Sequence, residues 1–380
     1  MTDAEGLLRI AMEAAADAGR LLASWRGDGR PEVVGTKSSP TDVVTEMDRR
    51  AEALIAGRIR AARPGDAILG EEGGQIQPQR PGAGVRWVVD PLDGTVNYLY
   101  GLRDWAVSIA AEADGAVVAG VVEVPRFGET FTAVAGRGAW LHRAGDATHP
   151  GGAVPLRCTS VGTLGQALVA TGFGYCAARR RVQGEVIAAV LPQVRDIRRG
   201  GSAAVDLCSL AAGRVDAFFE RGLNYWDYAA GGLIAREAGA TVGGLAGKPE
   251  GTSMVLAAGP ALYPQLDRLL SSLNPERDAE LAGRPRHRWH PDTPAGDSGA
   301  HRCPAASFRP ARGIPGRGCA VLRRAACTPG GNVTEFPAGI GHNRGLESVT
   351  TAQRPRRTDE GGWSSRWQPI TTARGRPTTT

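Results

Sequence analysis

Apolar residues return at helical spacing through residues 3–26, with Leu7, Ile10, Ala14, Ala18 and Leu21 in an Ala/Leu-rich run, and predict a long first helix closed off by Pro31 and Gly35. A polar loop from Thr36 to Thr45 follows. Thr45 reads as the cap of a second helix, with Asp48 as a negative charge favouring its N-terminal end. Apolar or alternating runs rich in β-branched residues predict strands over 67–69, 85–89, 105–112, 116–124 and 129–135. Asp114-Gly115 supplies a hairpin turn, so the last three form an antiparallel meander. Past Pro155 the pattern alternates, with strands expected over 167–171, 194–197, 215–220 and 254–258 and helices over 182–191, 202–212, 226–238 and 260–272. Alternation of this kind implies a second layered α/β half.

The periodicity ends near residue 275. Twelve Pro and fourteen Gly fall among residues 275–380, which predicts a folded domain over 1–274 and a disordered Arg/Pro/Gly-rich tail over 275–380. Charge divides the same way: the tail holds 17 Arg, no Lys and 9 acids, leaving 28 basic and 30 acidic residues in 1–274. The formal +6 of the whole chain therefore belongs to the tail, where the arginines are scattered without aromatic or motif regularity, and no nucleic-acid partner is expected. Six cysteines without a C-x-x-C pair or a neighbouring histidine at metal-ligand spacing argue against a zinc site or disulfide framework and predict buried free thiols in a reducing compartment. The N-terminus has no leader pattern and no run is apolar enough for a membrane span, so a cytoplasmic protein without a membrane partner is expected. Trp105 and Trp140 read as core or rim aromatics, and His142 and His149 as surface residues.

Chemistry concentrates in Trp87-Val88-Val89-Asp90-Pro91-Leu92-Asp93-Gly94-Thr95-Val96-Asn97-Tyr98. Pro91 and Gly94 are expected to break the strand just where two carboxylates stand, three residues apart across a turn, and to free the Leu92 carbonyl. Hard oxygen donors so gathered suit Mg²⁺. A helix beginning at Thr95 would add backbone N–H groups that can seat a phosphate. Taken alone, D-P-x-D-G is equally an Asx-type surface turn. Glu71 and Glu72 end another strand and point opposite ways, so one of them faces any site there. Gly200-Gly201-Ser202-Ala203 opens a helix, as close packing or as a ligand loop. Glu220 ends a further strand beside Arg221, where a salt bridge is the plain alternative. Arg198 and Arg199 either hold an anion or coat a surface, and Asp227 is a charge at a helix start.

Gly70-Glu71-Glu72, Asp90-Pro91-Leu92-Asp93-Gly94-Thr95-Val96-Asn97 and Trp226-Asp227-Tyr228-Ala229-Ala230-Gly231 resemble, in order and spacing, the three signatures of the inositol monophosphatase family, over about residues 4–273. The resemblance implies an α+β fold, the layered α-β-α-β-α sandwich of the inositol monophosphatase and fructose-1,6-bisphosphatase type, with the site between its halves. It also implies one Mg²⁺ at Glu71, Asp90 and the Leu92 carbonyl and a second at Asp90, Asp93 and Asp227, with Lys37 and Asp48 near a weaker third cation position. Four acids without countercharges repel one another, so such a cluster makes sense when divalent cations fill it. By the same resemblance Glu71, Asp93 and Thr95 serve catalysis, Glu71 and Thr95 orienting the attacking water. Gly94 and Thr95 then hold phosphate oxygens, Gly201, Ser202 and Ala203 line the pocket with Asp93 and Asp227, and Glu220 takes substrate hydroxyls.

The implied activity is a Mg²⁺-dependent phosphomonoesterase acting on myo-inositol 1-phosphate, in a homodimer sensitive to lithium. The same motifs serve histidinol phosphate, fructose 1,6-bisphosphate or a nucleotide 3′-phosphate. A rival of another class is an RNA- or transcription-associated interaction protein, to which the arginine tail would add affinity.

Overall fold

A computed structural model describes residues 3–24, 33–36, 43–76, 84–143 and 152–278, all within the unit Met1–Pro294. Lys37, His149 and all of 279–380 lie outside the described residues. Helices α1 (Ala4–Ser24) and α2 (Glu46–Ala62) flank the paired strands β1 (Val33–Thr36) and β2 (Val43–Thr45). Then come β3 (Ala67–Gly70), β4 (Gly74–Ile76), β5 (Val85–Asp93), α3 (Thr95–Leu99), β6 (Ala106–Ala113), β7 (Ala116–Val124), β8 (Glu129–Val134), β9 (Ala139–Arg143) and β10 (Ala153–Pro155). The remainder is β11 (Leu168–Thr171), α4 (Ala177–Val190), β12 (Asp196–Arg198), α5 (Ala203–Ala211), β13 (Ala217–Glu220), α6 (Tyr225–Glu237), β14 (Thr241–Gly243), β15 (Val255–Ala258) and α7 (Tyr263–Ser272).

Two larger sheets result. One runs β10-β9-β8-β7-β6-β5-β3-β4, antiparallel except where β3 pairs parallel with β5. The other runs β12-β11-β13-β15-β14, with β11 parallel to β12 and β13 and the β15 pairings antiparallel. Strand side chains alternate between faces, and the alternation assigns each helix to a layer. Trp87, Val89, Ile109 and Val121 face α1 and α2, while Val88, Ala110 and Val122 face α5 and α6. In the second sheet Phe218, Val255 and Ala257 face α5 and α6, while Phe219, Leu256 and Ala258 face α4 and α7. Two sheets sharing a middle helical layer make five layers, α-β-α-β-α. Gly120 permits the close approach of that layer, since a Cβ there would stand 3.1 Å from Ala230 Cα.

Several expectations are corrected. Strand β5 does not break at Pro91: it continues to Asp93, with three steps from Asp90 to Asp93 opposite two steps from Ser108 to Ala106. Pro91 is tolerated because it falls in this bulge, where the ladder demands no N–H. Helix α4 starts at Ala177 rather than 182, because its first turns carry Arg179, Arg180 and Arg181 and its buried face begins only at Val182. His142 is half-buried on β9, 3.1 Å from Thr132 Oγ1, and burial lowers its pKa from the usual imidazole value. Cys208 is buried, but Cys176 is exposed at the cap of α4. Trp105 is buried edge-on against Tyr98, whereas Trp140 stands largely at the surface. Among the described residues no helix is long and apolar enough to cross a membrane.

Candidate active site

The ends of β3, β5 and β13 and the starts of α3, α5 and α6 surround one cavity of about 550 Å³. Glu71 follows β3, and its N–H donates to Val89 O at 3.2 Å, extending the parallel ladder by one residue. Behind it, Glu52 of α2 accepts from Glu72 N at 2.8 Å and Gly73 N at 2.6 Å with its two carboxylate oxygens. The turn is thereby fixed. Glu71 lines the cavity while Glu72 lines a separate hollow beside Arg49 and Arg60, as opposite-pointing neighbours must.

From β5 come Asp90 and Asp93, both lining the cavity. Asp90 Oδ1 accepts from Leu92 N at 3.0 Å, which holds the bulge in shape. Gly94 has φ +91°, and a Cβ there would lie 2.8 Å from Asp104 O, so only glycine turns this corner without displacement. Thr95 opens α3 with its hydroxyl 3.0 Å from Asp48 Oδ1 and 3.1 Å from Leu92 O. Its single proton can go to only one of these acceptors at a time. Asp48 is fully buried and also caps α2, accepting from Thr45 N at 2.9 Å and Thr45 Oγ1 at 2.5 Å. Asp48 thus stands behind the cavity lining, while Leu92 is buried and presents its carbonyl to the cavity-lining Thr95.

The middle helices contribute the rest. Ser202 caps α5 by accepting from Val205 N at 3.2 Å, and its own hydroxyl donates to Asp93 Oδ2 at 2.6 Å. Ala204 N donates to the same oxygen at 2.7 Å. Gly201 and Ala203 line the cavity, but Ser202 is buried behind them, which corrects its expected place on the wall. Asn97, to which sequence reasoning assigned no part beyond the motif, donates to Asp104 O at 2.5 Å and Gly200 O at 2.9 Å and so ties α3 to the loop before α5. A buried asparagine within the D-P-x-D-G-T-x-N stretch was the available signal. Asp227, in the first turn of α6, accepts from Asn224 N at 2.7 Å. Glu220 ends β13 with its carboxylate packed on Gly172, where a Cβ would overlap it. It does not pair with Arg221, which binds Asp278 at 2.6 Å instead. Of the two arginines before α5, Arg199 lines the cavity and Arg198 pairs at the surface with Asp196 at 2.5 Å.

The acids feel one another. Burial pushes the Asp227 carboxyl well above its usual range, and the charges of Asp93, Glu71 and Glu220 push it the same way. Glu220 rises to about 8 through burial and the Asp93 charge, partly opposed by Arg199. Asp206, behind the wall, is raised by burial and then by Glu220 and Asp93. Among the described residues no three Asp, Glu, His or Cys side chains stand as a ready-made metal ligand set. Glu71, Asp90, Asp93 and Asp227 nevertheless bring hard oxygen donors to the cavity, in a cluster whose mutual repulsion a divalent cation would relieve.

Comparison with known proteins identifies the chain's relatives. A family model described as "Inositol monophosphatase family" matches residues 3–282. The chain is 47% identical over 251 residues to the inositol-1-monophosphatase SuhB of Mycobacterium tuberculosis H37Rv, covering 65% of this chain and 83% of that protein. It is 40% identical over 250 residues to the Nus factor SuhB of Pseudomonas aeruginosa, covering 64% and 87%. The solved structure of Mycobacterium tuberculosis SuhB superposes with a TM-score of 0.60 at 40% identity, over 73% of this chain and 100% of that one.

Proposed function

Because the chain belongs to the inositol monophosphatase family of phosphatases, we propose that it is a Mg²⁺-dependent phosphomonoesterase that hydrolyses myo-inositol 1-phosphate. The observation that carries this reading is the meeting of Glu71, Asp90, Asp93, Thr95, Glu220 and Asp227, drawn from five separate elements or their ends, around one cavity. Glu71, Asp90, the Leu92 carbonyl, Asp93 and Asp227 would hold the cations. When bound, Mg²⁺ supplies Lewis-acid polarisation of the phosphoryl group and offsets charge on the departing alkoxide.

The chain's own groups do the positioning. Thr95 gives its hydroxyl hydrogen to Asp48 or Leu92 O, which turns its lone pairs toward the cavity, where they accept from a water that Glu71 also orients. The N–H groups of Gly94 and Thr95 hold phosphate oxygens. Glu220, at the end of β13 and on the cavity wall, takes polyol hydroxyls with its carboxyl oxygens. Ser202 holds Asp93 in place from behind. Homodimer formation, lithium inhibition and a cytoplasmic setting accompany this reading.

Phosphate release by the full chain from inositol 1-phosphate, histidinol phosphate, fructose 1,6-bisphosphate and a nucleotide 3′-phosphate, with and without Mg²⁺, is the test. Mg²⁺-dependent release with inositol 1-phosphate preferred is expected; no release from any ester overturns the reading. Relatives titled Nus factor favour a second reading, docking to transcription machinery. RNA retention by the full chain that is lost in a chain ending at residue 278, without turnover by either, would select it.

A further inference from the structure

Besides its acids, the cavity is lined by arginines that the phosphatase reading leaves unused. Arg179, from the first turn of α4, and Arg221, directly after β13, both line it. They converge on one carboxylate: Arg221 Nε donates to Asp278 Oδ1 at 2.6 Å and Arg179 Nε to Asp278 Oδ2 at 3.3 Å. Each guanidinium thus takes one oxygen of the same anion, as two arginines take a bound carboxylate or phosphate. The sum of the three charges is +1, and of the three residues Arg179 and Arg221 are the ones on the cavity wall.

The seat for Arg179 is built. Gly222, at φ +94°, would overlap its guanidinium with any Cβ, and a Cβ at Gly174 would lie 2.8 Å from Arg179 Cδ. Arg221 is braced by donating to Ser253 O at 3.3 Å and Glu276 O at 3.5 Å. Side-chain exposure is 10% for Arg221, 26% for Arg179 and 8% for Asp278, so the anion is held away from water, where such pairing is strongest. Asp278 arrives on the short segment after α7, which turns at Asn274 (φ +43°) and is fastened by Arg277 to Glu185 and to Leu273 O. Its carboxyl is raised by burial but lowered further by Arg221 and then Arg179, and stays ionised at neutral pH.

We propose that Arg179 and Arg221 form a second anion subsite, for a phosphate or carboxylate carried on the alcohol part of a substrate, and that Asp278 is its in-chain occupant. While Asp278 is seated, esters whose alcohol is uncharged are favoured; when it is displaced or removed, bis-anionic esters gain the two arginines. Asp278 is then a specificity-determining residue. The inference rests on the phosphomonoesterase reading only for the seat of the first phosphate.

Calorimetric binding by the full chain, with Ca²⁺ in place of Mg²⁺ so that no ester turns over during the titration, tests it with a matched pair, myo-inositol 1-phosphate and myo-inositol 1,4-bisphosphate, which share one carbocyclic ring and differ in the second anion. Asp278→Asn is expected to tighten the bisphosphate at least tenfold and the monophosphate less than threefold, and Arg221→Gln added to it to abolish the gain. Asp278→Ser and Asp278→Ala are measured alongside, with circular dichroism to check folding. Equal changes for both esters, no change for either, or failure of all three variants to fold would make Asp278 a structural brace and overturn the proposal. Because the readout is binding, a chain that releases no phosphate removes the phosphatase reading without deciding this one.

Discussion

Ser202 donates its hydroxyl to Asp93 at 2.6 Å across 109 positions of the chain. The same oxygen of Ser202 accepts from Val205 N, so one side chain both caps α5 and fixes the acid at the end of β5. Ser202→Ala removes both bonds and should cost about 1–3 kcal/mol of stability. Turnover should fall about tenfold through loss of Asp93 orientation. Thermal melts and phosphate-release kinetics check this, with Ser202→Thr expected to restore both; unchanged turnover in the alanine variant would separate Ser202 from the chemistry.

Glu52 is not part of the cavity lining, yet it holds Glu72 N and Gly73 N and so sets the turn that presents Glu71. Glu52→Ala should lower kcat by about 10- to 100-fold with KM nearly unchanged, the pattern of a displaced partner behind a ligand. Glu52→Gln, which keeps one acceptor oxygen, should recover part of the rate. A change in KM alone would count against the positioning role.

The acid cluster carries a metal prediction. Chelation should abolish turnover and added Mg²⁺ restore it. Because partners behind a ligand typically matter by 10–100-fold, Asp93→Asn should cost more than about 100-fold. Wild-type rates in Asp93→Asn would remove the cation-holding role given to this acid.

Asp278 gives a pH dependence of stability. Burial raises its carboxyl pKa, but the hydrogen bond and charge of Arg221, then those of Arg179, bring it below the ordinary value. A depressed folded-state pKa contributes stability above the unfolded value of about 3.9, which is lost as pH falls through the folded one. Melting temperatures of wild type and Asp278→Asn should therefore differ at pH 7 and converge below about pH 4. A gap that persists at pH 2 would mean that the ion pair is not its source.

The strong local patterns were legible without coordinates. Helices α1, α2, α5, α6 and α7 and strands β5 to β8 announce themselves by period, caps and the Asp114-Gly115 turn, whose two residues both take positive φ. Short strands such as β4, β10 and β14, three residues each, carry no period of their own and exist through their partners. The bulge that carries β5 through Pro91 was hidden for a related reason: it depends on what β6 offers opposite.

By itself the sequence determined which residue types could do the chemistry, because a carboxylate, a threonine hydroxyl or a glycine with positive φ is a property of one position and its near neighbours. It also supplied the resemblance that named the family. Tertiary structure decided which of these groups share a cavity and which stand behind it. It put Ser202 at the back of Asp93, Glu52 under the Glu71 turn and Asp278 between Arg179 and Arg221. Those pairings join elements far apart in the chain, and no local preference encodes them: they follow only when the helical layers pack against the two sheets.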